Sequence, residues 1–103
     1  MSQKEYTSLR AFYPYYLSEH QKRSTRILHF IGTGLVILSF IVFVITLNWK
    51  FFAVIPLLGY GFAWVGHFFF EKNKPATFKY PGYSLASDFI MFWQLLTRQI
   101  QFG

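Results

Sequence analysis

Apolar and polar positions alternate along this chain in blocks. In residues 1–22, Leu9, Phe12, Tyr13, Tyr16, Leu17 and His20 recur at helical spacing among Lys4, Glu5, Arg10, Glu19 and Lys22. That pattern predicts an amphipathic helix with its tyrosines at a membrane-water boundary and His20 in its last turn. Residues 27–47 are almost unbroken apolar sequence, and at about 1.5 Å per residue they are long enough to cross a hydrocarbon layer of about 30 Å. Ser24 or Thr25 is placed to cap that span. A tight turn at Asn48, Trp49 and Lys50 leads into a second span over residues 51–70. Pro56 is expected to distort its early turns, while Gly59, Gly61, Ala63 and Gly66 form a seam for close helix packing. After a loop containing Pro75, Pro81 and Gly82, Ser84 or Ser87 can cap a third helix over residues 84–101. Its stripe of Leu85, Phe89, Phe92, Trp93, Leu96 and Ile100 predicts an interfacial or partly inserted helix packed on the hairpin, with a third span as the alternative.

Composition agrees with this reading. Of 103 residues, 53% are hydrophobic and 14% charged, more apolar surface than one soluble domain of this size buries. The expected fold is therefore a single all-α integral membrane domain built on a transmembrane helical hairpin. The charged N-terminal segment has no continuous apolar run or small-residue cleavage site, so it is not read as a signal peptide. Net charge is +6. The bases flank the apolar runs, which points to an anionic membrane surface and away from nucleic acid. Lys4, Arg10, Lys22, Arg23 and Arg26 precede the first span and Lys72, Lys74 and Lys79 follow the second, against Lys50 alone in the turn. Both ends of the hairpin should thus face the cytoplasm.

The candidate chemistry lies where the second span ends. His67 and Glu71 stand four residues apart, one α-helical turn, and two ionisable groups in an apolar segment are costly unless they pair, bind a metal or face water. Folding the hairpin puts His29, near the start of the first span, at the depth of His67, and His20 and Glu71 are tethered to the same side. All three histidines of the chain can therefore gather in one layer. With no cysteine in the chain, a metal there takes nitrogen and oxygen ligands, a set suited to iron(II) with open positions for oxygen and substrate. His20, His29, His67 and Glu71 are the candidate ligands and catalytic residues, with Glu71 either a direct ligand or the partner of a ligating imidazole. Asp88, read as a first-turn residue of the third helix, is expected to act as a dipole-favourable cap, with a ligand role as the alternative. A substrate with an acyl tail could lie between the Phe-rich helices, and a 2-hydroxy acid can chelate one ion. Two other readings remain open at this point: a non-enzymatic membrane interaction or lipid-binding module, and a haem protein with two axial histidines.

Y-L-S-E-H from Tyr16, R-I-L-H-F-I-G-T from Arg26, G-H-F-F-F-E-K-N-K-P-A from Gly66 and S-L-A-S-D-F-I-M-F-W from Ser84 together resemble a known family. These are the small membrane proteins related to the fungal 2-hydroxy fatty acid dioxygenase of the phytosphingosine pathway. The resemblance implies an iron(II)-dependent oxidoreductase that carries out α-oxidation, shortening a 2-hydroxy fatty acid by one carbon with molecular oxygen. It also implies that His20, His29 and His67 serve as metal ligands. The expected partners are the 2-hydroxy fatty acid, oxygen and membrane lipids, with a homo-oligomer as a way to thicken the wall around an acyl-sized pocket. The compact hairpin suits a bacterial inner membrane, or the endoplasmic reticulum membrane in a eukaryote.

Overall fold

The computed structural model describes residues 6–75 and 78–102. Within them the chain is helical and contains no strand, so the first five residues of the expected N-terminal helix lie outside the described residues. The elements are α1 (Leu9–Ser18), α2 (Arg23–Thr46), α3 (Trp49–Ala53), α4 (Ile55–Val65), one π-helical turn over Gly66–Glu71, and α5 (Pro81–Leu96).

The hairpin is formed by α2 and the antiparallel run from α3 to the π turn. Leu47 takes the left-handed conformation at φ 56° to reverse the chain, and Asn48 Oδ1 accepts the Lys50 N–H at 3.1 Å to start the return. Proline has no N–H to donate, and the returning helix breaks at Val54, two residues before Pro56. The two arms meet most closely at two glycines. A Cβ at Gly32 would lie 3.0 Å from Phe62 Cβ and 3.1 Å from the Leu58 carbonyl oxygen, and one at Gly66 would lie 3.1 Å from Thr25 Cγ2. Gly61 faces open space, so the expected seam does not include it.

Burial in the bundle is inverted relative to a water-soluble helix. The buried residues of α2 are Thr25, His29, Gly32, Thr33 and Ser39, whereas Ile45 and Leu47 at its far end are 75% and 77% exposed. In α5, Ser84, Ser87, Met91 and Leu95 point inward; of the stripe expected to pack, Phe92 stacks on Phe30 and Ile100 lies against the core, whereas Leu85 and Trp93, 57% and 59% exposed, point outward. Two helices, Arg23–Thr46 and Trp49–Glu71, are long and apolar enough to cross a membrane, with mean hydropathies of 2.5 and 1.5.

Helix boundaries differ from the pattern-based ones for local reasons. Ser8 Oγ accepts the Ala11 N–H at 3.1 Å and caps α1. That helix stops at Ser18, leaving His20 beyond its end rather than in its last turn. Phe12 and Tyr16 on α1 are buried against Tyr80, Met91 and Leu95, so this face packs on α5. Ser24 and Thr25 sit inside α2, whose N-cap is Lys22 without a side-chain bond. Helix α5 begins at Pro81, whose fixed φ and missing N–H suit a first turn. Ser84 and Ser87 are consequently interior, and Asp88 stands two turns in, too far from the terminus to act as a dipole cap.

Candidate metal centre

Local packing and hydrogen bonds bring three imidazoles together. His20 follows the end of α1, where the last carbonyls lack intrahelical partners. Its Nδ1–H donates to the Tyr16 carbonyl at 2.6 Å, and its ring stacks on the Tyr16 ring with centroids 4.0 Å apart. Its own carbonyl accepts from Arg26 Nε at 2.6 Å, which ties the loop to the first turn of α2. His29 projects from α2, one turn beyond Thr25, the residue that Gly66 allows to touch the returning arm.

His67 lies in the π turn. Lys72 takes a left-handed conformation at φ 62°, and the Asn73 N–H closes back on the His67 carbonyl at 3.0 Å. That closure carries the Asn73 side chain to His67, with Oδ1 2.7 Å from Nδ1. Asn73 Nδ2 donates to the Glu19 carbonyl and carboxylate, both at 3.3 Å. The amide orientation follows from those acceptors, so Oδ1 must accept and His67 Nδ1 must carry the proton.

The same reasoning extends to His29. Its Nδ1 lies 3.4 Å from the Tyr16 hydroxyl and 3.5 Å from Asp88 Oδ1, and the Tyr16 hydroxyl donates to that same carboxylate oxygen. With both neighbours available as acceptors, the proton of His29 also sits on Nδ1. Each Nδ1 is thus occupied by an oxygen partner, and each Nε2 is left with its lone pair. His20 Nε2 and His29 Nε2 are buried without a hydrogen-bond partner. The three histidines are 1%, 5% and 2% exposed, their ring centroids lie 4.3, 4.4 and 5.3 Å apart, and one ligand atom from each lies within 4.8 Å of the others.

Charge state favours metal binding. Burial, followed by the neighbouring His29 and His67, holds the His20 imidazole well below the ordinary histidine range, so it is neutral near pH 7. Burial and the adjacent Asp88 carboxylate push the Tyr16 phenol well up, so it stays a donor. Three buried imidazoles, two of them with an unsatisfied Nε2, are a fitting donor set for a first-row divalent metal. The cavity they share with Trp64 and Pro75 has about 20 Å³, room for an ion with a small ligand.

Glu71 is not brought into this group. In the wider π turn the residue four positions after His67 is rotated away from where an α turn would set it, and its Oε2 accepts the Lys22 N–H at 2.7 Å. It clamps the turn before α2 against the end of the hairpin. Tyr16 and Asn73, which orient the imidazoles, carried no advance signal as site residues, and the sequence marks Asp88 as a cap or a ligand, not as the partner of Tyr16. Tyr16 and Asp88 are separated by 72 positions, and Asn73 acts through a π turn that α periodicity does not anticipate.

A family model described as 2-hydroxy-palmitic acid dioxygenase Mpo1-like matches residues 6–100 of the chain. No curated protein and no solved structure gives a match.

Proposed function

The chain belongs to the Mpo1-like family, and from that premise we propose that it is an iron(II)-dependent membrane dioxygenase that oxidises 2-hydroxy fatty acids to acids one carbon shorter. The observation that carries the reading is the set of three buried imidazoles, each with its Nδ1 beside an oxygen, that bring one ligand nitrogen each to within 4.8 Å of the others. His20, His29 and His67 would hold the metal. Iron(II) bound there would supply oxygen activation and an anchor for a chelating 2-hydroxy carboxylate.

The chain's own residues do the positioning. Tyr16 orients two ligands, His20 through its carbonyl and His29 through its hydroxyl, and Asp88 fixes the Tyr16 hydroxyl. Such partners around a ligating histidine hold its tautomer and direction. Ser84 is buried with an unpartnered hydroxyl in the wall of the same cavity, and with Asp88 it offers polar contacts to a substrate head. Glu71 acts outside the cage as the clamp on Lys22.

Membrane integration supports the same function. Helix α2, at 24 residues and about 36 Å, exceeds a hydrocarbon thickness of about 30 Å. Its small and hydroxylated residues face the partner helices while its large apolar ones face out, the distribution expected of helices in lipid. Basic residues on both flanks orient the hairpin with its ends, and the cage, on the cytoplasmic side of a bacterial inner membrane or an equivalent one.

The test is turnover. Purified protein loaded anaerobically with ferrous iron should consume oxygen and convert 2-hydroxypalmitate to the acid one carbon shorter, and His67→Ala should not. Iron-loaded protein that leaves the substrate unchanged under oxygen contradicts the proposal.

A further inference from the structure

A second cavity of about 180 Å³ begins where the cage ends. The two share His29, Tyr60 and Asp88. From that polar mouth the cavity runs along α2 past Thr33 to Val36, with Ile55, Pro56 and Gly59 on the opposite arm and Leu85 and Phe89 of α5 along one edge. Apart from His29, Thr33, Tyr60 and Asp88 the lining is apolar. The arms close below Val36, where Ser39 is buried and its Oγ donates to the Phe51 carbonyl at 2.5 Å. The edge does not close: Tyr60, Leu85 and Phe89 are 46%, 57% and 40% exposed.

We infer that this groove holds the first part of the substrate's alkyl tail and releases the rest sideways into lipid, so that the protein measures a minimum tail length and no maximum. The inference rests on the dioxygenase reading for the identity of the head group. Continuity with the cage selects the occupant, because this apolar path leads directly away from His29 and Asp88, where the head of such a molecule would sit. From His29 to Val36 the helix rises about 10 Å, the length of about eight extended methylenes. Beyond that point the closed floor turns a longer chain outward through the open edge, where its length no longer matters to the protein. Gly59 sets the width. A Cβ there would make ordinary contact with Val36 Cγ2 at 3.5 Å, so a larger side chain fits the backbone and fills the groove.

The experiment uses full-length, iron-loaded protein in lipid nanodiscs with two photoreactive 2-hydroxypalmitates, one carrying a diazirine about seven carbons from the carboxyl and one at the methyl end. The mid-chain probe should label peptides containing Val36 or Ile55, the terminal probe should label lipid, and Gly59→Leu should reduce the mid-chain labelling about tenfold without changing bound iron. In parallel, turnover of a series of 2-hydroxy acids should rise to about ten carbons and then level off, with the break moved to shorter acids by Gly59→Leu. Turnover with a flat profile from the shortest acids onward, or mid-chain labelling elsewhere, overturns the groove and leaves the dioxygenase reading in place. Groove labelling that Gly59→Leu abolishes, with no turnover of any 2-hydroxy acid, supports the groove and removes the dioxygenase reading.

Discussion

The Tyr16 ring lies 4.0 Å from the His20 ring, nearly parallel to it, while the Tyr16 carbonyl accepts from His20 Nδ1 at 2.6 Å. One residue therefore fixes both the plane and the tautomer of a ligand four positions later, and its hydroxyl reaches His29 as well. The carbonyl contact belongs to the backbone and survives substitution, whereas the hydroxyl contact does not.

Tyr16→Phe separates those two roles. It keeps the stack and the carbonyl, removes one of the two oxygen partners of His29 Nδ1, and frees the Asp88 carboxylate that the Tyr16 hydroxyl held in place. Loss of such an orienting partner typically lowers metal affinity or activity about 10- to 100-fold. The iron dissociation constant should rise by that factor while the thermal midpoint of the metal-free protein changes little. Equal losses in both would assign Tyr16 to packing.

Glu71→Gln should retain iron. The glutamine still presents a carbonyl oxygen to the Lys22 N–H, and the carboxylate stands outside the imidazole group. His67→Ala should lose most of the metal. Iron content measured side by side distinguishes a clamp from a ligand: a Glu71→Gln protein as empty as His67→Ala would make Glu71 a ligand.

Asn73→Ala removes the acceptor of the His67 proton and the link to Glu19. His67 then has no fixed tautomer, and activity should fall about 10- to 100-fold. Asn73→Asp, which keeps an acceptor facing His67, should retain more activity than Asn73→Ala. The reverse order in a steady-state assay would contradict the tautomer assignment.

Gly66→Ala puts a methyl group 3.1 Å from Thr25 Cγ2, a contact that must spread α2 from the π turn and with it His29 from His67. Overpacking of this kind costs about 1–3 kcal/mol. Thr25→Ser removes the opposing methyl group and should restore iron affinity to the Gly66→Ala protein. A double variant no better than the single one would place the defect elsewhere.

Acid should destabilise the metal-free protein through His20. Its folded pKa is lowered by burial and by the two neighbouring histidines, while the unfolded chain titrates near 6.5. Below about pH 6.5 the unfolded state binds the proton that the folded state refuses, so stability falls as pH drops, by up to about 1.4 kcal/mol per pH unit from this group. Above that pH the effect vanishes. Thermal melts of the metal-free protein in detergent should show this slope, and it should be reduced in His20→Asn.

The hairpin and the gathering of the histidines were legible from apolar run length and from the reversal at Asn48, because two antiparallel spans must bring His29 and His67 to one depth. The shape of the cage was not. Nothing in G-H-F-F-F-E marks the widening that turns Glu71 outward. The α5 stripe was legible only in part: Phe92 and Ile100 pack as expected, but Leu85, Trp93 and Leu96 point outward and Ser84, Ser87 and Met91 face the bundle. Asp88 was assigned to a first turn because Ser84 and Ser87 look like caps, whereas the helix starts at Pro81. Long-range partners such as Tyr16 and Asp88 leave no trace in periodicity.

The central claim is that three imidazole Nε2 atoms grip one ion. Iron analysis of the anaerobically purified protein combined with X-ray absorption at the iron edge tests it most directly. The account predicts about one iron per chain with three imidazole nitrogens at about 2.0–2.2 Å, falling to two or fewer nitrogens or to no metal in His20→Ala, His29→Ala and His67→Ala. A protein that binds no metal, or binds it with an unchanged spectrum in all three variants, would contradict it.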